Sequence, residues 1–206
     1  SPLIYLFDIS STLYDYAVPL LVLTGMGNVA AVATLKVAAD FTMEPLRFLV
    51  APQQGMQVPL FSRIFVRGDQ GLLQRAYASL TRLFILALFP SAVGLILVGR
   101  GLFQLLYRAE FGGAAPVMIV IVVGAFLHSM LGSVPENILQ AYARYWPVVV
   151  SRLLVLATIP LLFWLARDYG AMGAAISMAT ARLLATSVVL GSAVALFRLR
   201  FPWRFL

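Results

Sequence analysis

The chain has 206 residues, of which 62% are hydrophobic and only 11% are charged. Soluble domains carry about 25% charged residues, so this composition predicts an integral membrane protein and excludes an ordinary soluble enzyme. The net charge is +7, and the positive residues are spread along the chain, which disfavours nucleic-acid binding and suits anionic membrane lipids. Cysteine is absent, which excludes disulfides and thiolate metal sites. No cleavable signal pattern follows Ser1, and we expect the chain to be a piece of a longer polypeptide.

Six apolar stretches are long enough to cross a bilayer, which takes roughly 20 residues per helix. We therefore predict an all-α fold, a polytopic membrane protein in which residues 1–206 form a single six-transmembrane-helix bundle. Asn28 is the predicted N-cap of the second crossing, and loops are predicted at 55–70 and 99–112. The predicted crossings are 3–24, 29–54, 72–98, 113–141, 147–167 and 170–197.

The arginines of the predicted loops are divided unevenly between the two sides of the membrane. Because cytoplasmic loops carry the excess of Lys and Arg, the side that holds both chain ends is predicted to be cytoplasmic. That side has Arg63, Arg67, Arg75, Arg144, Arg198, Arg200 and Arg204, whereas the other side has Arg100, Arg108 and Arg167.

Prolines and small residues bear on how the predicted helices bend and pack. A proline removes a backbone donor and tends to kink its helix, although neighbouring helices often compensate for the break. The sequence leaves two interpretations open, namely that the kinks are simply tolerated or that the bundle must bend. They apply to Pro19, Pro45, Pro90, Pro135 and Pro160. Small residues at four-residue spacing in the sixth crossing favour close packing of two helices. They are Gly173, Ser177, Ala181 and Ala185.

Four charged residues interrupt the second crossing, namely Lys36, Asp40, Glu44 and Arg47. At 100° per residue they fall within an arc of about 80°, on one side of a helix. A charge at bilayer depth costs a few kcal/mol, so such groups usually face a bundle interior or a water-filled cavity. This charged face predicts a polar path through the membrane.

Two aspartates of the first crossing lie level with charges of the second if these helices form an antiparallel pair. Counting about 1.5 Å per residue from a turn near residue 26 predicts the contacts Asp15–Lys36 and Asp8–Arg47. These pairs either only neutralise each other or line a cavity and couple an ion, and the sequence leaves both interpretations open.

Further polar groups lie inside the later crossings. His128 is near the middle of the fourth crossing and either relays protons or simply bonds a neighbour. Glu136 follows Pro135, where a kink would open a wet pocket. Arg182 lies too deep to reach either surface and needs a carboxylate or a ligand phosphate as its partner. Arg152 is close enough to the cytoplasmic end to extend to it.

The candidate cavity-lining residues for substrate binding or ion coupling are Asp15, Lys36, Asp40, Glu44, Arg47, Glu136 and Arg182. The sequence contains no phosphate-binding glycine loop and no metal-ligand spacing, and its single histidine has no marked nucleophile beside it. We therefore predict no cofactor, no metal and no catalytic site, and we expect that the protein is not an enzyme.

The order of several short motifs is similar to that of a known transporter family. After two charged crossings the chain contains Val58-Pro59-Leu60-Phe61-Ser62-Arg63, Leu73-Gln74-Arg75-Ala76-Tyr77, Phe89-Pro90-Ser91-Ala92-Val93-Gly94-Leu95 and Asp168-Tyr169-Gly170-Ala171-Met172-Gly173. In this order the motifs resemble the C-terminal half of a polysaccharide (O-antigen type) flippase of the oligosaccharidyl-lipid/polysaccharide exporter superfamily. That superfamily also contains the lipid II flippases and the multidrug and toxin extrusion transporters.

The resemblance implies a two-lobed transporter of the bacterial cytoplasmic membrane, in which this chain is the C-terminal lobe and an N-terminal six-helix lobe is its partner. It implies alternating access for a lipid-linked glycan on a polyprenyl diphosphate carrier, with ion coupling in some members. No functional residue is carried over, because no short binding motif of the family matches here. The alternatives are a cation-coupled multidrug antiporter, a membrane enzyme acting on lipid-linked sugars and a purely structural membrane domain.

Overall fold

The computed structural model describes residues 17–106 and 113–201, and all the regular structure in these ranges is helical. The all-α prediction is therefore confirmed for this part of the chain. The helices are α1 (Val18–Gly25), α2 (Val29–Arg67), α3 (Gln70–Leu106), α4 (Ala114–Leu131), α5 (Ser133–Ala141), α6 (Trp146–Ala157) and α7 (Ile159–Phe197).

Two apolar clusters form most of the core of the bundle. Leu35 and Met118 are among the fully buried members of the first cluster, which also contains residues of α1 and α7. Phe61 and Tyr77 belong to the second cluster, near the end of α2 and the start of α3. α2, α3, α4 and α7 each contribute to both clusters, so these four helices connect the two ends of the molecule.

α2 is longer than the sequence predicted. It begins as predicted at Asn28, whose side-chain oxygen accepts a hydrogen bond from the Ala31 N–H at 3.0 Å. It ends only at Gly68, whose φ of 65° is the left-handed conformation that commonly terminates helices. The predicted loop at 55–70 is therefore wrong. Pro59 in that stretch is tolerated because α2 packs against α3, α4 and α5, and these contacts outweigh the lost backbone donor.

α3 also continues beyond its predicted end, and the predicted loop at 99–112 is wrong for its described residues, all of which are helical. Phe103 anchors this extension, since its ring is fully buried and lies 5.0 Å from the ring of Phe41 on α2. At the start of the helix, the Asp69 carboxylate accepts a hydrogen bond from the Leu72 N–H at 2.9 Å. This capping bond satisfies one of the donors that a helix start leaves without an intrahelical partner.

Three of the five prolines lie in the first turn of a helix, and for Pro135 and Pro160 that helix start is a break inside a predicted crossing. Pro19 and Pro160 are in the first turns of α1 and α7, and Pro135 is in the first turn of α5. Proline is favoured there because its missing N–H would have no intrahelical partner. Pro45 and Pro90 lie inside α2 and α3, as the sequence predicted.

α6 and α7 form a helical hairpin whose turn, at Gly170, lies inside α7. The first arm is α6 with the start of α7, and the second arm is the part of α7 after Gly170. The φ of 55° and ψ of −129° of Gly170 lie outside the helical region and are accessible mainly to glycine. The arms of the hairpin meet where Val155 of α6 packs against Ala181 and Ala185 of α7. All four residues of the predicted small-residue row are buried, which confirms the packing prediction.

Three stretches of the described residues are long and apolar enough to cross a membrane, namely Gln70–Leu105, Ala114–Ala141 and Trp146–Phe197. They support the prediction of an α-helical membrane protein. The structure does not show six crossings. The first predicted crossing lies mostly outside the described residues, α2 carries four charges in its first half, and the fifth and sixth crossings are joined in one stretch.

The arginine-rich ends of α2 and α7 lie together at one end of the bundle. Tyr142, directly after α5, packs edge-on against Phe65 of α2 and Phe197 of α7, with ring centroids 4.7 and 4.6 Å apart. Gly170 lies at the opposite end, next to Asn28 at the start of α2. The predicted loops are therefore divided between two ends as expected, while the cytoplasmic assignment of the arginine-rich end stays a prediction.

Candidate functional site

A cavity of about 210 Å³ lies between α2, α4 and α7. Three of its residues carry basic groups, and among the described residues no carboxylate lines it. This volume is below the roughly 300 Å³ at which pockets for whole ligands begin, so the cavity fits a phosphate-sized group and a few waters. The lining residues are Met43, Leu46, Arg47, Val50, Ala51, Ala125, His128, Ser129 and Arg182.

Arg182 brings a buried positive charge to this cavity. The residue is 9% exposed and lies on the second arm of the hairpin, three turns beyond Gly170. One guanidinium nitrogen, Nη2, donates to the sulfur of Met43 on α2 at 3.8 Å. A thioether is a weak acceptor, so this contact helps to orient the guanidinium.

The hydrogen bonds around His128 determine which ring nitrogen carries a proton. The Thr186 hydroxyl donates to the carbonyl oxygen of Arg182 at 2.7 Å. Because a hydroxyl has only one proton, the 2.8 Å bond between this oxygen and His128 Nδ1 is donated by the imidazole. The predicted bond to a neighbour is confirmed, and the proton-relay interpretation stays a prediction.

Gly132, between α4 and α5, allows His128 to approach α7. Its N–H donates to the His128 carbonyl oxygen at 2.7 Å. A Cβ added to Gly132 would lie 2.8 Å from that oxygen and 3.3 Å from the Thr186 hydroxyl. The break between the two helices therefore places a residue without a side chain next to the contact between His128 and Thr186.

The charged face of α2 is present, and its charges pair along the helix. Lys36 Nζ donates to Asp40 Oδ2 at 3.1 Å, and Arg47 Nη1 donates to Glu44 Oε1 at 3.4 Å. All four side chains are between 42% and 67% exposed. Exposed pairs of this kind contribute at most about 1 kcal/mol, so stability alone does not explain four charges in an otherwise apolar stretch.

Glu136 lies outside the cavity and forms a largely buried ion pair with Arg152. Its Oε1 accepts a hydrogen bond from Arg152 Nη2 at 2.8 Å, and the side chains are 15% and 20% exposed. The prediction that Arg152 extends to the membrane surface is wrong, because Glu136 provides a partner inside the bundle. Beside this pair, Asn137 Nδ2 donates to Gln57 Oε1 at 2.8 Å and links α5 to α2.

The structure brings only some of the predicted site residues together. Arg47 and Arg182 meet at the cavity. Glu44 contacts Arg47 without lining the cavity, and Lys36 and Asp40 lie farther toward the start of α2. The face of α2 thus continues the polar surface from the cavity toward the opposite end of the bundle.

Two predicted contacts depend on the first crossing. Asp15 with its contact to Lys36, and Asp8 with its contact to Arg47, lie outside the described residues. No group of three His, Cys, Asp or Glu side chains suitable for a metal ion occurs within 17–106 and 113–201.

Sequence reasoning missed Ser129 and the position of His128 in the cavity wall. The apolar pattern of α4 gave no sign of which face meets α2 and α7. The one available signal was that His128 and Ser129 are adjacent polar residues in the middle of an apolar helix.

Comparisons of the chain with family models, with curated proteins and with solved structures found no significant match. The functional assignment therefore depends on the residues, the helices and the cavity.

Proposed function

We propose that this chain is one lobe of a membrane transporter that moves a lipid-linked oligosaccharide or polysaccharide repeat unit across the bacterial cytoplasmic membrane by alternating access. The cavity receives the diphosphate of a polyprenyl carrier, and an N-terminal six-helix lobe of the longer chain supplies the opposite wall. The observation that carries the proposal is the meeting of Arg47, His128 and Arg182 at one cavity.

The charge of the cavity wall supports an anionic ligand. Guanidinium groups bind phosphate oxygens with paired, charge-assisted hydrogen bonds, which are about twice as strong as neutral ones. The small volume fits the phosphate part of a large lipid-linked substrate, whereas the glycan and the polyprenyl chain would lie outside it. A cation-coupled multidrug antiporter is less well supported, because the described wall contains basic groups and no carboxylate.

The proposed lobe has six crossings, and the geometry of the hairpin supports the last two. Trp146–Phe197 has 52 residues, or about 78 Å of helix at 1.5 Å per residue. This is more than twice the roughly 30 Å of a hydrocarbon core, and the turn at Gly170 divides it into two arms. α2 is proposed as a crossing whose charged face meets water on the inner side of the transporter.

The test is export of the glycan by the full-length protein in cells that depend on it. We expect Arg182→Gln to lower surface glycan by roughly tenfold, because charge-assisted hydrogen bonds contribute about 1.5–3 kcal/mol. Arg47→Gln should also lower export. This substitution should disturb folding less than Arg182→Gln, because the Arg47 side chain is exposed. A smaller loss is expected for Lys36→Gln. The control is Arg167→Gln, an exposed arginine on the other side of the hairpin turn.

Immunoblotting of membrane fractions separates loss of transport from loss of the protein. Normal export by both Arg47→Gln and Arg182→Gln, at normal protein levels, would contradict the proposed mechanism. Export of small cationic dyes that is unaffected by these variants would favour the antiporter instead.

A further inference from the structure

A second cavity, of about 590 Å³, lies where α3 begins and the chain leaves α7. The first turns of α3 form one wall, and the end of α7 with the segment after it forms the other. The lining residues are Gln70, Gly71, Gln74, Leu196, Phe197, Arg198 and Arg200. This cavity is separate from the one between α2, α4 and α7, since the two share no residue.

Two glutamine side chains fix the segment after α7 against α3. Gln74 Nε2 donates to the Arg200 carbonyl oxygen at 2.6 Å, and Gln74 Oε1 accepts from the Arg200 N–H at 2.9 Å. The Gln70 amide donates to the carbonyl oxygen of Phe197. The amide of Gln74 thus pairs with both backbone groups of one residue, as a neighbouring strand would. We name this two-bond contact between Gln74 and Arg200 the backbone clamp.

The clamp holds two cationic side chains at the cavity. Arg198 and Arg200 are exposed and line it, and no acidic residue is among the lining residues that the structure describes. Arg198 has a φ of 50°, so the chain turns sharply out of α7 at this point. The Asp69 carboxylate caps the start of α3 beside Gly71 on the facing wall, so the positive charge at the cavity comes from the two arginines.

The position of the cavity indicates which anions it meets. Two of the stretches that are long enough to cross a membrane, Gln70–Leu105 and Trp146–Phe197, begin and end at its walls. A bilayer crossed by both stretches places the cavity at the level of the lipid headgroups. We propose that it binds the headgroup phosphate of an anionic phospholipid of the surrounding leaflet, with Arg198 and Arg200 as the phosphate-contacting residues. This binding does not depend on the proposed transport function.

The test measures how much phosphatidylglycerol the full-length protein retains in native mass spectrometry, with phosphatidylcholine as the neutral comparison. The double variant Arg198→Asn/Arg200→Gln removes both charges and keeps the clamp, because asparagine tolerates a positive φ and the clamp uses only backbone atoms of Arg200. We expect its affinity for phosphatidylglycerol to fall by roughly tenfold or more, since each basic residue near an anionic leaflet contributes about fivefold. Affinity for phosphatidylcholine should not change.

A second variant distinguishes a built site from general attraction by surface charge. Gln74→Leu removes the clamp and leaves both arginines in place, so we expect it to weaken phosphatidylglycerol binding several-fold. The control is Arg144→Gln, an exposed arginine in the turn between α5 and α6 that does not line the cavity. Equal losses in Arg144→Gln and in the double variant would overturn the proposal, and so would unchanged binding in Gln74→Leu.

Discussion

A single ion pair illustrates how polar residues fix the packing of this bundle. Glu136 and Arg152 are 16 positions apart, on α5 and α6, and their side chains are at most 20% exposed. Burying two charges costs several kcal/mol per ion, and mutual attraction offsets this only with good geometry and further hydrogen bonds. Gln140 adds a long bond of 3.5 Å to the same carboxylate oxygen, whereas the buried Nε of Arg152 has no hydrogen-bond partner among the described residues. The pair therefore specifies how α5 meets α6 more than it stabilises the fold.

We expect Glu136→Gln to lower the free energy of unfolding by about 3 kcal/mol, because the guanidinium of Arg152 is then buried without a counter-charge. Arg152→Gln should cost a similar amount for the converse reason. The double variant should lose less free energy of unfolding than the two single losses add up to, because neither charge remains. We expect the difference to be about 1–3 kcal/mol. Reversible unfolding in detergent measures all three values. Additive losses would show that the two residues are not energetically coupled.

At the scale of the element, the hairpin of α6 and α7 depends on one residue conformation. The φ of 55° and ψ of −129° at Gly170 turn the chain so that two arms can pack along small residues. A side chain with a Cβ is strained in this region of backbone space, whatever space surrounds it. The turn is therefore set by backbone chemistry rather than by side-chain contacts.

Gly170→Ala is expected to lower the free energy of unfolding by about 1–3 kcal/mol, the usual cost of a sparsely populated backbone conformation. The matched control is Gly191→Ala on the same helix. An added Cβ at Gly191 meets nothing within 4 Å, and its φ is not positive. The control should leave stability unchanged or raise it by up to about 1 kcal/mol, because alanine is the better helix former. Equal destabilisation by both variants would show that the backbone conformation of Gly170 carries no particular cost.

The elements differ in how far the sequence determines them. The N-cap at Asn28 and the small-residue row of α7 were predictable, because each follows from local chemistry or from helical periodicity. The extension of α2 to Arg67 was not, since Gly55 and Pro59 favour a break and only packing against other helices overrides it. Local signals of this kind cannot report contacts that form across the bundle.

The candidate site was predictable only where the residues share one helix. The common face of the four charges of α2 followed from the angle between residues. Their pairing along the helix, Lys36 with Asp40 and Glu44 with Arg47, was not predicted. The meeting of Arg47 with His128 and Arg182 depends on how three helices pack, which helical periodicity alone does not specify. For the same reason the sequence did not predict that Arg152 turns inward to Glu136.

At the scale of the whole molecule, polar groups are arranged along the length of the bundle. One end holds the arginines in the last turns of α2 and after α7. The cavity with Arg47 and Arg182 lies farther along, and Lys36 and Asp40 lie beyond it toward the other end. Three helical stretches of the described residues are long and apolar enough to cross a bilayer. A transporter lobe requires this combination, because its interior must admit a polar group while its exterior faces lipid.

Because the chain contains no cysteine, single cysteine substitutions report the position of each end of the molecule relative to the membrane. Arg67→Cys and Arg144→Cys should react with a membrane-impermeant maleimide from the same side, since Tyr142 packs against Phe65 at that end. Arg167→Cys should react from the opposite side, because it lies next to the turn of the hairpin at the other end of α2.

In intact spheroplasts we expect only Arg167→Cys to be labelled, and all three variants to be labelled after permeabilisation, if the arginine-rich end is cytoplasmic. Labelling of only Arg67→Cys and Arg144→Cys in intact spheroplasts would agree with the same fold in the opposite orientation. The cavity lined by Arg198 and Arg200 would then face the other leaflet. Labelling of Arg67→Cys and Arg167→Cys from one side is incompatible with the described fold in a membrane. The arms of the hairpin would then not cross the bilayer, and the cavity with Arg182 would not lie within it.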